Sequence, residues 1–530
     1  MTGRTQLVEL VEDDDSRSAR RTGRWSGTDA EAHRDEGSPV TPDAPGPEPG
    51  DRARVWVRRH WRWLVPSVAA VVAALVVTQG AVDAQERARL ARLAAVPGVL
   101  APVDRDLSVL WRADARTGTA VQQGTEIGDR VVAVLEDADD DSLGVVAIDV
   151  RTGRQAWRTP VERPARLPGP ADQAQQLYAY CSTARHGDGL VAVCGATQQA
   201  QIVTQQPPTS LWVLDPADGT VLARRTVPGA AAYTIAGPDL VVATSVAGTG
   251  ADRSWRVVAS DAVTGAQHWT FTTPATRITS PYPQSTAPPD EAWAVPGLGA
   301  TADGGVLVTS DRHVWELSSS GRVERSLDLP QYSWVDSIRG GLLFSSVYGA
   351  TSSSHAGTIV LRDGTTVPTD DVSGYLTADD GSVPEMTFTV AAGDTGLAGI
   401  TGRLVATGAP VWTHAGAIQS GLLLGGRLYL AQADGVVALD ARTGEVLWRL
   451  ETDYSVRQVG TDGNALLVPG PTARLTALSL GSGQRLWTRD LGPDVAGPGN
   501  PAWTVQQLEV DGRFREVVGW NDDGSIVFLG

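Results

Sequence analysis

Short apolar strands recur in pairs along this chain, each pair joined by an Asp-x-x-Thr-Gly turn with a tryptophan four residues after the glycine, and this predicts an all-β propeller. Two further observations set its surroundings. A polar, Pro/Gly-rich leader occupies the first 50 residues, and a single apolar run follows an arginine cluster directly after it.

The leader carries the acidic run Glu12-Asp13-Asp14-Asp15 and ends in the stretch 38–50. It has too little apolar surface to offset the entropy of ordering, so residues 1–62 are expected to be a disordered cytoplasmic tail. Within it, Leu7-Val8-Glu9-Leu10-Val11 is a short apolar piece with the look of a docking motif, though an incidental run is the simpler reading.

Arg52, Arg54, Arg58, Arg59 and Arg62 then precede the apolar segment 63–82. About 20 such residues suffice to cross a hydrocarbon core of roughly 30 Å. The arginines before it, and the mixed charges Asp83, Glu86 and Arg87 after it, place the N-terminus inside and the rest outside. A cleaved signal peptide would need Val82-Asp83-Ala84 as its processing site and an unusually long leader, so an uncleaved anchor is the better reading. Residues 83–104 are expected to be a helical stalk and linker. The strong helix formers at 83–95 stop near Val96-Pro97-Gly98.

From 105 to 530 the repeat takes over. Val145-Val146-Ala147-Ile148-Asp149 leads to Gly153 and Trp157, and Val436-Val437-Ala438-Leu439-Asp440 leads to Gly444 and Trp448. Asp261, Gly265 and Trp269 keep the same spacing. Gly483 and Trp487 keep it with Ser479 in the aspartate position, and Gly408 and Trp412 keep its second half. Asp215 and Gly219 keep the turn, with Ala223 where tryptophan is expected, and a weaker copy around Gly321 has Arg325 there. The aspartate accepts backbone N–H bonds, the glycine takes a positive φ, and the tryptophan fills space between neighbouring sheets. About eight four-stranded blades follow if the degenerate stretch 340–412 forms one elaborate blade.

These residues resemble the PQQ-binding-like propeller repeat, which is found in quinoprotein dehydrogenases and in BamB-like assembly propellers. The likeness is to a membrane-anchored, actinobacterial-type member. It implies a ring closed by strand exchange between the chain ends. Leu107-Ser108-Val109-Leu110-Trp111 is the orphan tryptophan strand that would complete the C-terminal run 515–529.

Composition narrows the chemistry. The 530 residues hold no lysine, so Schiff-base chemistry has no residue to use it. The formal charge is −17, and residues 1–62 hold twelve acids against eleven arginines, so the propeller is strongly acidic and nucleic-acid partners are disfavoured. Cys181 and Cys194 flank His186-Gly187-Asp188-Gly189. A two-residue turn at Gly187-Asp188 would set them opposite each other at a non-hydrogen-bonded position, which suits a structural disulfide in an oxidising compartment. Glu136-Asp137-Ala138-Asp139-Asp140-Asp141 lacks the glycine and distal glutamate of an EF-hand loop, and reads as a solvated hairpin tip. The seven histidines show no paired ligand spacing, and no phosphate loop or nucleophile elbow is present.

The enzymes of the resembled family carry an adjacent cysteine pair, a Ca²⁺ site and a catalytic aspartate. None of these can be placed on matching residues here. No cofactor is therefore expected, PQQ and Ca²⁺ being disfavoured, and no catalytic, cofactor-binding or metal-binding residue is assigned. The long connections 160–180, 199–209, 272–302 and 348–356 are where partners are expected to bind. The sequence reading is a non-catalytic scaffold or sensor on the outer side of the cell membrane, meeting an envelope protein or a cell-wall component. A divergent PQQ-dependent dehydrogenase, or another propeller enzyme, is the alternative.

Overall fold

A computed structural model describes residues 84–530 apart from 138–141, 165–174, 201–207, 247–251, 278–295, 347–355, 496–506 and a few shorter stretches, together with 75 and 77–81. Among the described residues no helix is long and apolar enough to cross a membrane. Most of the expected span 63–82, all of the tail 1–62 and residues 138–141 of the acidic tip 136–141 lie outside the described residues.

Short strands with apolar residues on both faces must bury both, and radial stacking of small sheets achieves this. Nine sheets of at least four strands are present among the described residues. Blades 1 to 8 follow in chain order at 125–161, 175–227, 232–272, 297–328, 333–369, 371–415, 418–451 and 460–490. Blade 9 combines 507–529 with Val109–Ala113 from the N-terminal end. Val109–Ala113 pairs antiparallel with Ile526–Leu529, placing Trp111 beside Phe528. The two rings stack with centroids 4.4 Å apart. The expected strand exchange is therefore the ring's closure.

The count of about eight blades is corrected to nine. Residues 340–412 do not build one elaborate blade. Ser333–Ile338 opens one sheet and Asp371–Ser373 opens another, with only Asp370 between the last strand of blade 5 and the first of blade 6. No turn residues mark so short a crossing, and the fourth strand of blade 5, Thr366–Thr369, has no tryptophan. A buried side-chain network joins the two instead. Arg403 donates to Thr369 Oγ1 at 2.7 Å, to Asp371 at 2.8 Å and to the Gly408 carbonyl at 3.0 Å.

Ile418–Leu424 and Arg427–Gln432 form a hairpin that turns at Gly425-Gly426. A short helix, α1 (Ala115–Gln122), follows the closing strand and is N-capped by Asp114, whose carboxylate accepts from the Thr117 N–H at 2.8 Å.

The four successive strands of each blade are antiparallel, so their turns alternate between two faces of the ring, while Leu376–Asp379 from the first connection of blade 6 adds a parallel edge strand to blade 7. Connections between first and second strands, and between third and fourth, lie on one face, here called the turn face. Those between second and third strands, and between blades, lie on the other, here called the loop face. The stalk helix (84–93) meets the turn face at blade 8. Arg89 donates to the Gly463 carbonyl at 3.1 Å, and Leu93 is buried with Val99, Leu466 and Val468. Residues 99–103 then cross blades 8 and 9, with the Val103 N–H donating to Asp462 at 3.1 Å.

Candidate functional site

The repeat residues assemble at the seams between blades. In blade 1, Asp149 accepts from the Thr152 N–H and hydroxyl, each at 2.7 Å, and from the Arg151 N–H at 3.1 Å. Asp261 and Asp440 bind Thr264 and Thr443 in the same way. The Thr152 hydroxyl at Asp149, and the Thr264 amide at Asp261, hold these carboxyls below the usual range. Asp215 accepts from the Ala217 N–H at 2.8 Å. These carboxylates are occupied by their own turns.

The tryptophans bind forward, each to the turn of the next blade. Trp111, Trp157, Trp269, Trp412 and Trp448 donate their indole N–H to the carbonyls of Val150, Pro216, Ser319, Ala441 and Leu480, at 2.6 to 3.3 Å. Each ring lies flat against the glycine of that turn. At Gly444 the backbone has φ +72°, and an added Cβ would fall 2.6 Å from the Trp412 ring, so both conformation and space require glycine. Gly153, Gly219 and Gly483 receive Trp111, Trp157 and Trp448 in the same way. Trp487 packs against the cluster containing Leu107, Leu508 and Val527 in blade 9.

Two arginines do this work where tryptophan is missing. Arg325 donates to the Val360 and Leu361 carbonyls, both at 2.9 Å, and pairs with Glu316. Arg225 donates to the Val263 carbonyl at 2.8 Å, and its guanidinium lies where a Cβ on Gly265 would fall. Ala223 occupies the expected tryptophan position, but Arg225 is two residues further on. Side chains alternate along a strand, so it shares the same face and reaches the next turn. A search at intervals of two would have found it. Gly408 receives Val367 of blade 5 instead of a ring.

Cys181 and Cys194 are disulfide-bonded, with Cα atoms 4.0 Å apart. They are paired residues of a hairpin in which His186 is opposite Gly189. Both cysteines are buried in the cluster that packs blade 2 against blade 1.

Around the axis, the first strands bring different chemistry. Tyr180 of blade 2 and Tyr233 of blade 3 stack with centroids 5.7 Å apart, and Tyr178 lies 5.9 Å from Tyr180. Burial pushes the Tyr180 and Tyr233 phenols up, while Tyr178 is 44% exposed. All three lie toward the loop-face ends of their strands. At the seam of blades 9 and 1, Glu126 accepts from the Arg515 N–H at 3.0 Å. Burial, with the nearby Glu516 carboxylate adding to it, pushes Glu126 up to about 7. Asp336 of blade 5 is also raised by burial.

These carboxylates belong to separate strands, and among the described residues no group of three His, Cys, Asp or Glu could hold a metal. The described part of the acidic hairpin is ion-paired, Glu136 to Arg163 at 2.6 Å and Asp137 to Arg158 at 3.4 Å. His268 binds Asp239 and His313 binds Asp328, each at 2.7 Å, within their own blades.

Nine antiparallel blades, locked by a side chain passed from each seam to the next, define a β-propeller protein. Residues 357–497 and 396–528 match the family described as outer membrane protein assembly factor BamB. The matched blades, 6 to 9 and the end of blade 5, are similar to that PQQ-like propeller family. BamB from Moraxella catarrhalis is 16% identical over 80% of this chain and 99% of its own, with a TM-score of 0.38. A europium-containing methanol dehydrogenase is 12% identical over 82% and 95%, with a TM-score of 0.33. The computationally designed Ika8 protein is 13% identical over 82% and 99%, with a TM-score of 0.35. No curated protein matches the sequence.

Proposed function

We propose that this protein is a membrane-anchored, extracytoplasmic scaffold that binds an envelope protein or cell-wall component through its loop face and catalyses no reaction. The observation that carries this reading is the division of labour between the faces. The stalk helix occupies the turn face at Gly463, while the connections that contain 165–174, 201–207, 278–295, 347–355 and 496–506 all join strands at the loop face. The exposed Tyr178, beside stacked Tyr180 and Tyr233, gives that face a rigid aromatic anchor of the kind interfaces use. The family match to an assembly factor points in the same direction.

A quinone-dependent dehydrogenase is the competing reading. The residues present do not fit it, because the disulfide joins hairpin partners in the seam of blades 1 and 2 instead of adjacent cysteines over an axial cofactor. The repeated aspartates are also held by their own turns.

A photo-crosslinking residue at position 178, in the full-length chain in its native membrane, tests the proposal. Adducts with an envelope component are expected from this position and not from Leu222 on the outer rim. Dye reduction by the chain on adding PQQ and Ca²⁺ with an alcohol would decide for the dehydrogenase.

A further inference from the structure

The first two strands of blade 2 outgrow their neighbours. The first, Gln175–His186, has 12 residues, where the first strands of blades 1 and 3 have 3 and 5. The second, Gly189–Ala200, pairs along all of it, but the third strand joins the second only from Ala192 to Ala196. Residues 175–178 and 197–200 therefore continue past the blade at the loop face as a two-stranded ribbon. Such a ribbon is at best marginally stable by itself. This one is held at its base by the Cys181–Cys194 bond and by Tyr180 stacked on Tyr233.

The edge of this ribbon toward the axis is open in a defined register. His186 and Gly189 pair across the two-residue turn, so even-numbered residues of the first strand bond to the second strand. Odd-numbered ones present N–H and C=O to the axis. Two of these are met by neighbouring backbone, Cys181 donating to the Gln123 carbonyl and Arg185 to the Gly237 carbonyl, each at 2.9 Å. Nearer the loop face, Leu177 and Ala179 have no backbone partner on this edge among the described residues. Natural sheets guard open edges with charge or proline. Residues 175–184 and 189–200 contain neither, in a chain that is 20% charged. Gln198, opposite Leu177, is an independent sign that the ribbon is incomplete. It is 1% exposed, and its Nε2 has no hydrogen-bond partner among the described residues, where buried donors are rarely left unmet.

The chain covers two other axial edges with extended segments of its own. Leu376–Asp379 pairs parallel with the first strand of blade 7, and Val99 bridges parallel to Thr461 in the first strand of blade 8. On blade 2, unmet donors and acceptors recur every second residue, about 6.8 Å apart, a spacing that another extended backbone matches. We propose that the axial edge of 175–179 takes an extended segment of an envelope protein as an added strand, bonded at Leu177 and Ala179. An apolar side chain of that segment packs on Tyr178, which is 44% exposed. The ribbon offers no counter-charge, so the segment it selects is uncharged. This rests on the loop-face scaffold reading above and adds how the partner is held.

The test uses the full-length chain in its native membrane, with the photo-crosslinking residue at position 178. Leu177→Pro removes an N–H that faces the axis and takes no part in the blade's own ladder, while Leu177→Ala shortens the same side chain and keeps that N–H. Adduct yield is expected to fall about tenfold with Leu177→Pro and to change little with Leu177→Ala. Equal yields from the two variants overturn the proposal and leave the scaffold reading standing. A second measurement depends on neither variant folding. Amide hydrogen exchange at Leu177 and Ala179 is compared in the crosslinker-bearing chain, free and in the purified adduct, and is expected to slow about 100-fold in the adduct. Unchanged exchange in the adduct overturns the proposal. So does slow exchange in the free chain, because the edge is then covered by the chain's own connection or, where the slowing grows with protein concentration, by a second copy. Absence of any adduct from position 178 overturns the scaffold reading itself, and this proposal with it.

Discussion

A fourth-strand tryptophan needs a small residue beside it and a glycine ahead of it. Trp157, Trp269, Trp448 and Trp487 pair across their blades with Ala147, Ala259, Ala438 and Ala477. Trp412 pairs with Gly402, where a Cβ would fall 2.3 Å from the ring. The alanine two residues before each aspartate is thus the space the ring occupies, and the motif Ala-x-Asp-x-x-Thr-Gly-x-x-x-Trp is one packing unit written in order. Replacing Trp448, which is 9% exposed, with alanine is expected to cost about 3–5 kcal/mol, read as a lowered denaturation midpoint of the propeller. The arginine substitutes behave differently. Arg325→Met strands the largely buried Glu316 carboxylate and two carbonyls, and is expected to cost about 3–5 kcal/mol. Adding Glu316→Met should recover most of that loss in urea unfolding, because the uncompensated charge goes with it. If the double variant is as unstable as the single, the lost carbonyl bonds dominate.

At the scale of elements, the hairpin and the seam matter most. The disulfide closes a sequence separation of 13 residues, and loop-closure entropy for that length corresponds to about 3 kcal/mol. Cys181→Ala with Cys194→Ala should lower the melting temperature of the oxidised protein to that of the reduced wild type. The seam of blades 9 and 1 carries a proton linkage. Folding raises Glu126 from its ordinary 4.5 to about 7, so the folded protein holds this proton more tightly than the unfolded chain does. The resulting stability is present below 4.5 and is lost as the pH rises through about 7. Melting temperature should fall across that window, and Glu126→Gln should flatten the fall. An unchanged slope in the variant would show that the carboxyl is not buried in solution.

Blade 5 also belongs at this scale. Its fourth strand, Thr366–Thr369, has no tryptophan, and Arg403 of the following blade reaches back to it. That is why the repeat fades at this point in the sequence while the ring continues. The bond is made by a residue 34 positions away, which no local spacing could announce.

The propeller is a closed ring, and closure depends on a strand that the chain supplies before its first blade. Removing residues 84–113 would leave Ile526–Leu529 as an open edge. The shortened propeller should self-associate in size-exclusion chromatography where the protein beginning at residue 84 does not.

By itself, the sequence determined the strand repeat, the turn chemistry, the closing strand and the pairing of the two cysteines. These are set by local spacing or by residues whose partners lie a fixed number of positions away. Only the tertiary structure decided that there are nine blades, that Arg225 stands in for tryptophan, that Glu126 meets Arg515, and that the stalk helix docks on blade 8. Each of these is a contact between residues brought together by closing the ring. Their energy depends on burial and geometry across a seam, which the order of residues along a single blade does not contain.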